Sequence, residues 1–183
     1  MSTTFIDQEV PQRIIPLREI KLINKIMKAN IEIAEAGSQA VATELLKLLA
    51  DEYVLYTKTR NAYWNMEDSH FYEREKLFDD QANQLTEIID SIAKRIRSME
   101  HYAYATLKSF LEITHLAETT PDQNDSLAYI KELLSDHDSI VIHCKENAHR
   151  FTTEFKDAAS SDFITYLLEK HENMAWLLRS HLK

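Results

Sequence analysis

From residue 17 to 120, and again from 122 to 183, the chain contains no proline, and along its whole length it contains a single glycine, Gly37. An average chain of this size carries roughly a dozen glycines. Sandwiches, barrels, dinucleotide-binding folds and glycine-lined phosphate loops need many residues at positive φ, and glycine is what supplies them. Their near-absence argues against all of these. The three prolines, Pro11, Pro16 and Pro121, fall at the edges of pattern blocks. A chain this poor in helix breakers is all-α, and 183 residues suit one domain with a sizeable core.

The formal charge is −9. That balance argues against free-standing nucleic-acid binding and suits a protein in solution or one that attracts cations. One cysteine, Cys144, precludes an intrachain disulfide or a CxxC site and points to a reducing, cytoplasmic setting. The opening MSTTFIDQEV has no basic n-region and no apolar h-region, so no secretory leader is expected. No run approaches the roughly 18 apolar residues of a membrane span.

The charge is unevenly spread. Residues 1–28 hold five Lys/Arg against three acids, a net of +2, which leaves −11 on the remainder. Arg18, Lys21, Lys25 and Lys28 fall on one helical stripe, with Ile20, Ile23 and Met27 opposite. Two readings stay open for this basic amphipathic segment. It is a surface helix packed on the core or on a partner subunit, or it contacts nucleic acid or membrane.

Beyond it the helical period repeats. Gly37-Ser38 reads as a helix start, with Ser38 as N-cap, and apolar residues recur from Val41 to Tyr56 in a helix ending near Trp64. After a break at Asp68-Ser69, a helix from about His70 to Met99 carries Phe71, Phe78, Leu85, Ile88, Ile92 and Ile96 on one face. A short piece spans about Tyr104–Thr114. A long helix covers about Ser126–Phe155, residues 157–161 form a turn, and a last helix runs from about Asp162 to Leu182. Four long amphipathic helices and one short one make a four-helix bundle.

Two stretches carry more than a pattern: the run from Leu48 to Met66 followed by Phe71, and the run from His171 to Arg179. With the blocks Ile88–Ile96 and Leu134–Asp138, they resemble the Dps family, the mini-ferritins also called DNA-binding proteins from starved cells. The resemblance spans residues 29–183, leaving 1–28 as an N-terminal extension. It implies a ferritin-like four-helix bundle with a short helix between the second and third long ones, and a hollow dodecamer in the cytoplasm. It also implies peroxide-driven Fe(II) oxidation at a site shared by two subunits, iron storage, stress protection and, in some members, DNA binding.

The same resemblance locates the family's ligands on this chain. The histidine of the HisTrpAsn motif falls on Tyr63, ahead of Trp64 and Asn65, and the second histidine falls on Glu75. The companion acid is kept as Asp79, the partner subunit's Asp as Asp90, and its Glu falls on Lys94. Glu75, Asp79, Asp90 and Lys94 lie within about 100° of arc on one helix face. Both imidazoles, which suit iron, are gone, and Lys94 places a cation where a metal would sit. A hard divalent cation still has oxygen ligands available there. Three readings follow: a salt-bridge cluster without metal, a weak or altered cation site, and a working iron-oxidation centre.

Other candidates are fewer. Asp136 matches the family's acidic pore residue, and His143 lies two turns along the same face; a solvated helix face is the alternative. The Glu67/His70 and Glu146/His149 pairs have Glu-x-x-His spacing but read as surface coincidences. Trp64 and Trp176 read as packing or interface residues, and Cys144 as a small buried hydrophobe. The expected function is a Dps-like cage subunit that binds or stores iron with weak or absent ferroxidase activity. The alternative is a non-catalytic cage component, or a protein binding DNA or a partner through the basic segment. No complete acid/base or nucleophile set supports an unrelated helical enzyme.

Overall fold

The computed structural model of the chain describes residues 17–119, 121 and 124–183; the side chains of residue 17 and residues 19–34 lie outside that description. Five helices follow in order: α1 Leu17–Asn65, α2 Phe71–Ser98, α3 Leu107–Ile113, α4 Ser126–Thr153 and α5 Ala158–Ser180. No strand forms among the described residues; an isolated bridge joins Glu67 to Asp125. The chain divides into two compact units between Glu35 and Ala36, and the bundle lies in the second. Of the basic stripe, Arg18 is exposed, and the side chains of Lys21, Lys25 and Lys28 lie outside the described residues.

Cross-helix contacts give the helix directions. On α4 and α5, Asp138 pairs with Arg179 and Lys145 with Glu172, so the two run antiparallel. On α1 and α4, Glu44 pairs with Arg150 and Lys58 with Asp136, again antiparallel. Gln81 and Arg95 of α2 reach the Met174 carbonyl and Ser160 of α5, so these also run antiparallel. It follows that α2 and α4 point the same way, and the 27 residues between them must travel the length of the bundle. The crossover leaves beside Ser38, whose hydroxyl meets the His101 ring at 3.0 Å, and returns where the Glu67 N–H donates to the Asn124 carbonyl at 2.7 Å. Short α3 lies on this path, with its Phe110 stacked on Tyr53 of α1 at 4.5 Å.

The core follows the helical period. Leu45, Leu49 and Leu55 of α1, Phe78, Leu85 and Ile92 of α2, Ile130, Ile140 and Phe151 of α4, and Ile164, Leu167 and Leu178 of α5 are fully or almost fully buried. Each such side chain contributes about 1.5–3 kcal/mol relative to exposure. Cys144 is 1% exposed in this core, and burial, reinforced by Glu52 and Asp51, pushes its thiol up and keeps it protonated.

The structure corrects four local expectations. Ser38 is not an N-cap: α1 continues through Gly37 and Ser38 without a break. The short helix begins at Leu107, where Thr106 forms a capping box with Ser109, three residues later than the apolar pattern suggested. Residues 157–161 are not a turn, because Asp157 caps α5 by accepting the Ser160 N–H and the helix is under way by Ala158. Phe71 opens α2 and is 47% exposed, because the apolar row enters the core only from Phe78 onward.

Candidate metal centre

The last turns of α1 and the length of α2 carry every residue that the family pattern assigns to a metal. Arg60, Tyr63 and Trp64 are spaced i, i+3, i+4 and so share one face at the end of α1. Opposite them, the first half of α2 presents Glu75 and Asp79, both half-buried.

Arg60 is the residue that the sequence reading missed. Its Nη1 donates to Asp79 Oδ1 at 3.1 Å. Its guanidinium lies 4.4 Å from the Tyr63 ring centroid and 5.0 Å from that of Trp64. Asp79 Oδ2 accepts the Asn83 amide at 3.2 Å. Both oxygens of the one family carboxylate kept in this half are therefore engaged by the chain itself. The i, i+3, i+4 spacing was legible, but which carboxylate Arg60 would reach across the helix gap was not.

The second half of the set lies elsewhere on α2. Asp90 and Lys94 form an ion pair one turn apart, with both side chains largely exposed. Asp79 and Asp90 are eleven residues apart, about 16 Å along a helix at ~1.5 Å per residue. One chain therefore does not bring the two halves together. Among the described residues, no three His, Cys, Asp or Glu side chains are placed to hold a metal ion.

The donor set does not fit an iron-oxidation centre. A phenol and a carboxylate stand where the pattern has imidazoles, and two cations, Arg60 and Lys94, sit on two of the three carboxylates. A cation held about 4 Å from an incoming Fe(II) opposes it by several kcal/mol at an effective dielectric near 20.

The remaining candidates separate. Asp136 is 8% exposed, with Lys58 Nζ 2.6 Å from its Oδ2. The same ammonium reaches Glu132 at 2.9 Å and donates to the Ala117 carbonyl at 3.1 Å. Burial pushes the Asp136 carboxyl up, and the Lys58 ammonium opposes that. His143 belongs to a different group: its ring stacks on His115 at 4.2 Å, and His115 Nδ1 lies 3.0 Å from Asp51. Glu67, His70, Glu146 and His149 are all exposed. Trp64 and Trp176 are exposed as well, at 67% and 60%.

Comparison with known proteins places this geometry. The family model of the ferritin-like domain matches residues 42–183, and the chain belongs to that family. An uncharacterised low temperature-induced protein of Nostoc is 31% identical over 156 residues, covering 85% of this chain and 87% of that protein. Within the ferritin-like class, the chain is a Dps-family mini-ferritin. The DNA protection during starvation protein of Helicobacter pylori is 28% identical over 140 residues, covering 76% of this chain and 96% of that one. The solved structure of DpsC from Streptomyces coelicolor superposes with a TM-score of 0.77 at 27% identity, over 81% of this chain and 86% of that one.

Proposed function

We propose that this chain is a subunit of a cytoplasmic Dps-type cage, a homo-oligomer of twelve copies, that takes up or stores iron in stress protection. Its ferroxidase activity is weak or absent. Iron is the cargo in this reading, drawn by the acidic balance of the body of the chain. Asp136 and His143 are the pore candidates, although Asp136 already carries Lys58.

One observation carries the reading: Arg60 is bound to Asp79 on the face where the family pattern puts its metal. Together with Lys94 on Asp90, it turns a carboxylate-rich site into paired ions. Tyr63 and Glu75 supply no imidazole to compete for iron.

The test is peroxide-driven oxidation of Fe(II) added without oxygen. The wild-type chain is expected to oxidise Fe(II) little faster than peroxide alone. A combined Arg60→Ala, Tyr63→His, Glu75→His and Lys94→Glu variant is expected to gain metal affinity by roughly tenfold or more, with a matching rise in rate. A wild-type rate equal to that of a histidine-containing relative would sink the reading.

A further inference from the structure

Near mid-height in the bundle, three ionisable side chains from three helices meet out of reach of solvent. Glu52 of α1, His137 of α4 and His171 of α5 are each 0% exposed. His171 has a close neighbour at both nitrogens. Its Nε2 lies 2.8 Å from Glu52 Oε1, a contact not aligned as a hydrogen bond. Its Nδ1 lies 3.0 Å from His137 Nδ1. Glu52 Oε2 and His137 Nε2 have no hydrogen-bond partner among the described residues.

Among the described residues, the surroundings bring no further free charge to this cluster. On α1, Asp51 spends its oxygens on Thr114 and His115. On α4, Asp136 is taken by Lys58 and the Cys144 thiol stays protonated. The buried residues of α2 are apolar except Gln81, whose amide donates to the Met174 carbonyl at 3.1 Å. The other buried polar residues of α5 are Ser160 and Ser161.

Proton counting then constrains the state. Across the gap between the two Nδ1 atoms only one nitrogen carries a hydrogen, because two N–H groups would point at each other. With one proton in that gap, one between Glu52 and His171, and one on His137 Nε2, the cluster is neutral overall. A neutral cluster avoids a net charge where all three side chains are closed off from solvent. One more proton leaves a net positive charge in the core: on a nitrogen of the gap it sets N–H against N–H, and on the open Glu52 Oε2 it leaves the imidazolium without its counter-charge.

We propose that Glu52, His171 and His137 form an acid-sensitive lock at the centre of the bundle, closed while the cluster is neutral and released when α1, α4 and α5 separate to admit one further proton. Burial, then the positive charge that His171 can carry, holds the His137 imidazole well below its ordinary range. The unfolded chain takes up that proton near pH 6.5, whereas the folded chain does not. Below about pH 6.5 the unfolded state thus binds more protons, and stability falls as pH falls. One proton is worth about a tenfold drop in the folding equilibrium per pH unit.

Urea unfolding of the intact protein between pH 7.5 and 4.5, compared with His137→Asn, tests this. The Asn side-chain oxygen keeps an acceptor for the His171 Nδ1–H but takes no proton. The variant is expected to lose about tenfold less in folding equilibrium per pH unit than the wild type below pH 6.5. Parallel curves would overturn the lock. A second measurement needs no variant: deuterium exchange at the imidazole C2 carbons, read by mass spectrometry against pH. His137 is expected to show no inflection near pH 6.5, the range of a free imidazole. An inflection at His137 in that range would refute the proposal. So would Zn2+ binding at one ion per chain that disappears in His171→Ala, because the orphaned atoms would then belong to a metal.

Discussion

At the scale of single residues, basic side chains decide what this chain does with its acids. Lys58 is the clearest case. Its side chain is 6% exposed, yet it serves Glu132, Asp136 and a backbone carbonyl at once. Removing one partner of a buried pair leaves a buried charge unmatched, at about 3–5 kcal/mol. Lys58→Met is therefore expected to destabilise by about that amount near pH 8. The direction with pH follows from Asp136. Its folded carboxyl is already raised by burial, and losing Lys58 removes what lowers it. A folded carboxyl that holds its proton more tightly than the unfolded one gains stability as pH falls through its raised value. The loss in Lys58→Met should thus shrink at pH 5, and denaturant titrations at the two pH values check this. Arg60 pairs with Asp79 on a more exposed site, where the pairing adds little to stability; its part in excluding metal belongs to the proposed function.

At the scale of elements, the scarcity of glycine has a structural cost. Among the described residues, two sit at positive φ, Glu100 at 67° and Lys156 at 58°, and neither is glycine. Glu100 follows α2, where its N–H returns to the Arg97 carbonyl and the His101 N–H to that of Ile96. That is a Schellman end with glutamate in the place glycine normally takes. Glu100→Gly is expected to stabilise by up to about 1 kcal/mol, since glycine enters this region without the Cβ penalty; thermal unfolding measures it. The one glycine lies inside α1, where a Cβ would come within 3.3 Å of the Phe155 carbonyl oxygen. Its role is close approach, not a turn. The element boundaries were legible where side-chain chemistry is local, as at Asp125, which caps α4 one residue before Ser126. They were misread where a tertiary contact decides: Gly37-Ser38 looks like a start, but Ser38 bonds to His101 across the crossover, and the helix has no cause to stop.

For the whole molecule, assembly and partners follow from exposed surface and charge. Trp64, Phe71 and Tyr72 stand exposed around the end of α1 and the start of α2, the region to which the resemblance assigns one half of the family's two-subunit site. Light scattering is expected to report a twelve-subunit particle; a monomer at micromolar concentration would count against the cage. The two readings of residues 1–28 separate in a gel shift with duplex DNA. DNA binding through Arg18, Lys21, Lys25 and Lys28 should weaken steeply with salt and vanish when 1–28 are deleted, whereas a packing segment gives no shift even at low salt. The sequence by itself determined the helix content, the four-helix bundle and the family, because helical period, the lack of breakers and the Leu48–Met66 and His171–Arg179 runs are local properties of the chain. It also shows which residue types stand at the positions that the resemblance assigns to a metal. What only the tertiary structure decided is which charges meet: Arg60 with Asp79, Lys58 with Asp136, and Glu52 with His171 and His137. These pairs join residues 19 to 119 positions apart on different helices, and the rotation and register of packed helices, which bring them within 3 Å or so, are set by the fit of whole core faces rather than by any local spacing.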